Sequence, residues 1–313
     1  MNSNILTFAI FSLLFFYLTN DLLAQTFFED AKGKTSIFLP INKNGNGLGN
    51  IRLNTADESL KIAYFHNRSD KDVFFGLDAK GKSNNGLAPL FSSEKLSPEA
   101  AINFSIGFKN LAVKQSDLSK FDLINFRIGF NGANYKIVSA DTVYTKQITT
   151  QNFTGINAGV SYNYFLNGNM IFGLYGGYDK NNNLSSLSKI TVNESTNLGV
   201  DSLGTTSRTT EDSYTAWKGE YKLIDQFSIY LDYVFIPNFL DNRVALSLYS
   251  RSGFNSVLNK TNAGFGIYFN EKDNPTKIIG GLIYEFEDVF DVKKSGNSLG
   301  KRGTLGIVLG YNF

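Results

Sequence analysis

The chain has 313 residues, of which 14% are aromatic and 19% are charged, and this composition excludes an intrinsically disordered protein. Lys plus Arg (30) nearly balance Asp plus Glu (28), so the charge pattern gives no support for a nucleic acid partner. The absence of Cys excludes disulfides and thiolate metal sites, and a single His leaves too few ligands for zinc. We therefore expect no cofactor and no metal site.

The N-terminus predicts export. Residues 5–19 form a continuous apolar run, ILTFAIFSLLFFYLT, which ends abruptly at NDLLAQ. Such a run is typical of a secretory signal peptide and is shorter than the roughly 20 apolar residues that a membrane-spanning helix needs. We predict that residues 1–24 are a signal peptide, cleaved after Ala24, and that residues 25–313 form the mature protein. An uncleaved N-terminal anchor is the alternative.

The rest of the chain alternates between apolar and polar residues with a period of two, which is the pattern of β-strands. In the closing segment GTLGIVLGYNF, Leu, Ile, Tyr and Phe share one face, and Thr, Gly, Val and Asn share the other. We predict twelve strands, with 14 or 10 as alternatives. They occupy residues 33–41, 57–67, 72–81, 99–109, 121–139, 150–165, 169–180, 212–236, 243–251, 261–270, 276–287 and 303–313.

Two of these strands need comment. Residues 212–236 are taken as one long strand, because their large apolar side chains keep a single phase throughout. Residues 33–41 are the weakest strand, because Pro40 lies inside them and cannot donate a ladder hydrogen bond. If this segment is instead a plug or an extension, the strand count changes.

The chemistry of the two faces predicts which solvent each one meets. The less apolar face is dominated by Gly, Asn, Ser and Tyr, which suits a crowded, hydrated lumen better than an open surface. Together with export, this favours an all-β, antiparallel transmembrane β-barrel over a secreted β-sandwich. Short turns are then expected on the periplasmic side and long polar loops outside, notably residues 181–211.

These features resemble those of bacterial outer-membrane β-barrel proteins. The resemblance includes the leader, the alternating segments over residues 33–313, and a closing strand that ends in Phe313 with Tyr311 in phase. It implies a location in the outer membrane, contact with its lipid, and recognition by the barrel-assembly machinery. Tyr311 and Phe313 would be part of the assembly signal.

The candidate functional residues are the charged side chains that the alternation directs into the lumen. They are Lys61, Asp78, Lys80, Arg127, Asp179, Asp232, Arg243, Arg251, Lys277, Glu285 and Glu287. One interpretation is a narrow polar pathway with opposed basic and acidic walls. The other is a lumen filled by salt bridges, since buried charges need partners.

Catalysis has little support in the sequence. The single His, His66, lies three residues from Ser69 near a predicted turn, and no acid that would orient it is identifiable. We therefore expect no enzyme. The leading hypothesis is a narrow channel or uptake barrel for small polar solutes. The alternative is a non-conducting accessory barrel that binds protein partners through its outer loops.

Overall fold

The fold is all-β, and no α-helix occurs in the residues that the structure describes. The structure is a computed structural model, and it describes residues 28–38, 48–67, 72–82, 99–110, 120–139, 147–166, 169–200, 207–241, 243–257, 259–271 and 274–312. Within these ranges the strands, in chain order, are β1 Leu48–Asn54, β2 Ser59–Asn67, β3 Val73–Lys82, β4 Glu99–Lys109, β5 Lys120–Val138, β6 Ile148–Leu166, β7 Met170–Asn182, β8 Ser188–Val200, β9 Ser207–Lys218, β10 Leu223–Phe235, β11 Val244–Asn255, β12 Lys260–Glu271, β13 Asn274–Phe286 and β14 Gly303–Asn312. Among the same residues, no helix has the length and apolar character needed to cross a membrane.

Twelve of these strands close into an antiparallel barrel. Each barrel strand pairs with the next one along the chain, except that β7 pairs with β10 because β8 and β9 lie outside the barrel. β14 completes the barrel by pairing with β1, which places Ile51 opposite Tyr311. The predicted all-β class and the antiparallel barrel of about 12 strands are confirmed. The predicted signal peptide, residues 1–24, lies outside the described residues.

The barrel has two different ends. β1 begins and β14 ends at what we call the turn end, where β6 and β7 are joined by residues 167–169 and β12 and β13 by 272–273. The opposite end, which we call the loop end, carries the longer connections, among them 183–222 and 287–302. The first barrel strand therefore starts at the same end of the barrel at which the last one finishes.

Strand alternation sorts the side chains into an apolar outer face and a mixed inner face. Every barrel strand from β2 onward exposes at least one large apolar side chain on the outside. Examples, one per strand, are Ile62, Leu77, Phe104, Ile128, Val160, Leu174, Leu231, Leu248, Phe265, Leu282 and Leu309.

The predicted first strand, residues 33–41, is wrong. Residues 33–38 form no strand and lie inside the barrel, and 39–41 lie outside the described residues. Among the described residues the first strand is β1, which lies between the predicted strands 33–41 and 57–67, where we expected a loop. Its sequence LGNIRLN does alternate, since Asn50 and Arg52 are buried while Ile51 is half-buried. The flanking Gly and Asn residues favour a loop, and this hid the strand.

The single strand predicted at 212–236 is also wrong. It consists of β9 and β10, separated by residues 219–222, and only β10 belongs to the barrel. Gly219 sits at φ +136°, a conformation that breaks the strand. Phase continuity across the break misled the prediction, because Trp217 before the break packs into a cluster, whereas Phe227 and Leu231 after it are exposed on the outer face.

β8 and β9 form a hairpin that extends a small sheet beyond the loop end. At the base of the hairpin, β9 pairs in parallel with β5 at Ile137 and Val138. Trp217 packs there against Tyr135, with ring centroids 5.5 Å apart, in a cluster that includes Phe153. The predicted outer loop 181–211 is therefore largely ordered as β8 and the start of β9.

Candidate functional site

The interior of the barrel contains residues 28–38, a segment that we call the plug. A turn reverses its direction, with the N–H of Asp30 donating to the carbonyl of Lys34 (2.9 Å) and Gly33 at φ +68°. The Asp30 carboxylate Oδ1 accepts hydrogen bonds from the backbone N–H groups of Lys32 and Lys34, both at 2.8 Å. The plug is therefore a tight loop that satisfies its own turn without pairing as a strand.

The tip of the plug points to the loop end and its two arms point to the turn end. At the tip, the carbonyl of Lys32 accepts a hydrogen bond from Lys80 Nζ at 3.1 Å. Lower down, the ring of Phe28 lies 5.0 Å from that of Tyr268, and Phe38 lies 5.9 Å from Phe65. The arms complete an apolar cluster in the barrel, whose other members include Phe74, Leu123, Phe165, Ile171, Val234, Ile236, Ala245, Ile278, Ile283 and Val308.

Arg251 on β11 joins the plug to the wall. Its Nε donates to Asp30 Oδ2 at 2.9 Å, and its Nη2 donates to Asp232 Oδ1 at 2.7 Å. The other carboxylate oxygen of Asp232 accepts the backbone N–H of Ser36 at 2.8 Å and the Ser36 hydroxyl at 2.5 Å. All four side chains are buried, and Arg251 is the cationic partner that the two carboxylates share.

A second network links the plug to β1, β2 and β3. Glu29 accepts a hydrogen bond from Arg52 at 2.5 Å and lies 3.8 Å from Lys61 Nζ. Lys61 in turn lies 3.7 Å from Asp78, which also faces Arg127 at 3.3 Å. The charges therefore alternate along a continuous chain from the plug to β5.

Asn163 on β6 holds the second arm of the plug by its backbone. Its Oδ1 accepts the N–H of Phe38 at 2.8 Å, and its Nδ2 donates to the carbonyl of Ser36 at 2.7 Å. One side-chain amide thus supplies the donor and the acceptor that a neighbouring strand would offer. This contact explains how a non-strand segment can be buried at low cost.

Within the described residues, much of the barrel interior is shielded from solvent. Every barrel strand contributes at least one inward side chain that is less than one-tenth exposed. In chain order, examples are Arg52, Lys61, Asp78, Asn103, Asn125, Ser161, Tyr175, Asp232, Arg251, Asn262, Glu285 and Val308. Tyr175 lies flat against Gly159 and Gly177, where a Cβ would overlap its ring.

Lysines at the loop-end rim lower the pKa values of two carboxylates. Asp57, in the β1–β2 turn, pairs with Lys80 and Lys82. Burial acts to raise the pKa of Asp57, but the two lysines outweigh it and hold this pKa below its usual range. Glu287 directly follows β13. Burial acts to raise its pKa, but Lys32 and Lys260 outweigh burial and lower this pKa to about 2.

The structure brings together five of the eleven candidate residues from the sequence, namely Lys61, Asp78, Arg127, Asp232 and Arg251, in the two networks described above. Lys80 lies at the plug tip. Glu285 is buried and accepts a hydrogen bond from Asn262 at 2.6 Å, and Asp179 accepts one from Ser228 at 3.1 Å.

The remaining candidates lie elsewhere. Glu287 is at the rim with 46% of its side chain exposed, and Arg243 is exposed at the turn end, before β11. Lys277 belongs to β13, but its side chain is outside the described residues. Of the two assembly-signal residues, Tyr311 is exposed on the outer face and Phe313 is outside the described residues. His66 is exposed on β2.

Sequence reasoning missed the groups that hold the plug, above all Glu29, Asp30 and Asn163. A signal was present, because the segment FFEDAKGK, residues 27–34, overlaps the start of the predicted strand 33–41 and contains a Gly and four charged residues. Glu29 and Asp30 are buried and therefore need cationic partners. Arg52 is the partner of Glu29, and Arg251 is the partner of Asp30. Nothing in the local sequence identifies those partners, because Arg251 lies 221 residues from Asp30.

Fold and interior together define the class of protein, which is a closed 12-strand antiparallel β-barrel whose lumen is filled by its own N-terminal segment. Such a barrel is consistent with an outer-membrane protein. No protein-family model and no curated protein sequence matches this chain.

Proposed function

We propose that this protein is an integral outer-membrane barrel that does not conduct solutes and serves as an accessory or interaction barrel. The observation that carries the proposal is the filled interior, in which the plug bonds to buried side chains of β1, β6, β10, β11 and β12. A water-filled pathway would leave polar side chains such as Asn125 and Ser161 exposed, yet each is only 1% exposed. The filling of the lumen by salt bridges is thus favoured over the polar pathway.

The outer face supports placement in a membrane. Phe104, Ile128 and Leu231 are 50%, 45% and 52% exposed in the middle of their strands, and similar residues surround the barrel. A soluble protein would rarely expose so continuous an apolar surface. Barrel strands such as β7, with 13 residues, are long enough to cross a bilayer at a tilt.

Orientation follows from the family resemblance, in which both termini lie in the periplasm. The turn end then faces the periplasm and the loop end faces outward. Export would use the predicted signal peptide, residues 1–24, and cleavage after Ala24 would leave the plug close to the new N-terminus. An N-terminal segment that begins in the periplasm can enter the lumen from the turn end, as the direction of its arms requires.

Binding of partners would then fall to the parts outside the membrane. The β8–β9 hairpin is exposed along most of its length and is held firmly at its base by Trp217 and Tyr135. A rigid projection with a polar, Ser- and Thr-rich surface suits recognition better than solute transport does.

Planar bilayer recordings test the proposal. Purified wild-type protein is expected to give no discrete conductance, while a variant lacking residues 28–38 but retaining the leader is expected to give steps, because the deletion empties the central lumen. Heat-modifiable migration of both proteins serves as the control for barrel formation. Conductance steps from the folded wild type would contradict the proposal and support the narrow-channel hypothesis.

Copurification tests the interaction role separately. Mild detergent extraction of the wild type should retain stoichiometric protein partners, and removal of residues 188–218 should release them while the barrel remains folded. A barrel that is always recovered alone, and that also conducts, would favour the uptake function.

A further inference from the structure

Three lysines surround the carboxylate of Glu287 at the loop end, and we call these four residues the rim cluster. Lys32 comes from the tip of the plug and Lys260 is the first residue of β12. Both contact the same oxygen of Glu287, Oε1, with Lys32 Nζ at 3.5 Å. Burial acts to raise the pKa of Glu287, and the charge of Lys293 acts with those of Lys32 and Lys260 to lower it, which places Lys293 nearby.

The connection that carries Lys293 is fastened to the start of β12. The backbone N–H of Asp288 donates to Asn262 Oδ1 at 3.0 Å, and that of Val289 donates to the carbonyl of Thr261 at 2.8 Å. The backbone N–H of Lys293 donates to Asp288 Oδ2 at 2.9 Å. The backbone of Lys293 is therefore held in place beside the strand that begins at Lys260.

The rim cluster has more cations than anions. Two further acids of this region, Glu285 and Asp288, are buried, and they accept hydrogen bonds from Asn262 and from backbone N–H groups. In residues 28–38, 259–262 and 285–303, every charged side chain that is exposed is a lysine, namely Lys32, Lys293, Lys294 and Lys301. This part of the rim therefore attracts anions.

The spacing of the lysines suits a phosphate group. Because Lys32 Nζ and Lys260 Nζ contact the same oxygen, the two nitrogens lie within about 6 Å of each other. Each ammonium has three donors, so contact with Glu287 leaves others for a second acceptor. The side chain of Lys32 is 46% exposed, which makes its ammonium accessible from outside. Three cations and one carboxylate leave a charge of about +2, which a phosphate dianion would balance.

We propose that the rim cluster binds a phosphate group, with Lys32, Lys260 and Lys293 as its ligands. Because Lys32 belongs to the plug, the bound phosphate would fasten the plug tip to β12 and to the connection 287–302. Free phosphate and the phosphate of a lipid headgroup share this chemistry. The site needs only the folded barrel, and its exposure to the cell exterior rests on the proposed orientation.

Isothermal titration calorimetry of the detergent-solubilised full-length protein with inorganic phosphate, at low ionic strength, tests this proposal. The wild type should bind one phosphate. Lys260→Met should weaken the binding by about tenfold, through loss of a charge-assisted hydrogen bond. Glu287→Gln should strengthen it by about fivefold, because the carboxylate that competes for the lysines is removed. The matched control is Lys189→Met, at an exposed position of β8, which should leave the affinity unchanged.

A parallel titration with phosphatidic acid in detergent micelles distinguishes the sources of the phosphate. Tighter binding of phosphatidic acid would support a lipid headgroup, and equal or weaker binding would support free phosphate. No binding of either probe by the wild type, or equal affinities of wild type, Lys260→Met and Glu287→Gln, would overturn the site. Conductance of the wild type would instead overturn the proposed function and leave the site intact. Heat-modifiable migration verifies that each variant forms the barrel.

Discussion

Arg251 donates hydrogen bonds both to the plug and to the barrel wall. Besides the carboxylates of Asp30 and Asp232, it donates to the carbonyl oxygens of Leu231, Ser250 and Lys34, at 2.9, 3.0 and 3.3 Å. A guanidinium can make these contacts at once because its donors are fixed in a planar fork. Such a residue has no conservative replacement at this position.

Replacement of Arg251 by Met is expected to destabilise the folded barrel by about 3–5 kcal/mol, because two buried carboxylates lose their partner. Urea denaturation followed by heat-modifiable migration measures the loss. Arg243→Met removes the same charge at an exposed site and should change stability little. Equal stability of Arg251→Met and wild type would show that the plug does not depend on this network.

Glu287 gives the rim a predictable response to acid. Its pKa is lowered from 4.5 to about 2, so its contribution to stability is present above pH 4.5 and is lost as the pH falls towards 2. Thermal unfolding of wild type and Glu287→Gln should therefore differ at pH 7 and converge at pH 2. The difference is expected to be small, since 46% of this side chain is exposed. A difference that grows on acidification would contradict the assignment.

Among the structural elements, the β8–β9 hairpin is attached to the barrel through its base rather than through its tip. Trp217 is 8% exposed and packs edge-on against Tyr135, while the described side chains of β8 farther from the base are half-buried or exposed. The hairpin has only a short pairing with β5, so apolar packing must provide much of its attachment.

Trp217→Ala is expected to weaken this attachment by about 3 kcal/mol, the usual cost of truncating a buried aromatic side chain. Limited proteolysis should then cut the hairpin faster while the barrel stays heat-modifiable. Ser213→Ala, on an exposed position of the same strand, should leave the cleavage rate unchanged. Unfolding of the whole barrel by Trp217→Ala would show that the hairpin supports the wall as well.

Strand alternation made most elements predictable from the sequence, and the two errors have a common physical origin. Period-two patterning reports which face is apolar, but it does not report what covers that face. Trp217 and Leu231 share one phase, yet the first packs on Tyr135 outside the barrel and the second faces outward from the wall. The plug was missed for a related reason, because its partners lie on strands that are distant in sequence.

For the molecule as a whole, closure depends on the last strand. β14 pairs with β13 on one side and with β1 on the other, and Asn50 lies opposite Asn312 at the turn end. Loss of β14 would leave an unpaired edge on both β13 and β1. Unpaired backbone groups within a bilayer have no water with which to form hydrogen bonds.

Deletion of residues 311–313 is therefore expected to cause misassembly, with lower abundance in outer-membrane fractions and degradation in the periplasm. The truncation removes Tyr311 and the pairs that join β14 to the start of β1. Quantitative immunoblotting of membrane fractions measures the effect, with a substitution at an exposed hairpin position such as Thr191→Ala as the control. Normal abundance and heat-modifiable migration of the truncated protein would contradict the role of the last residues in closure.

The plug also constrains the order in which the chain can reach its final state. It precedes all the barrel strands in the chain, but Ser36, Asp30 and Glu29 bond to partners that lie 196, 221 and 239 residues later. Glu29 can pair early with Arg52 on β1, but Asp30 has to wait for Arg251 on β11. The plug therefore completes its native contacts only after most of the barrel wall exists, so we expect the sealing of the lumen to be a late event of biogenesis.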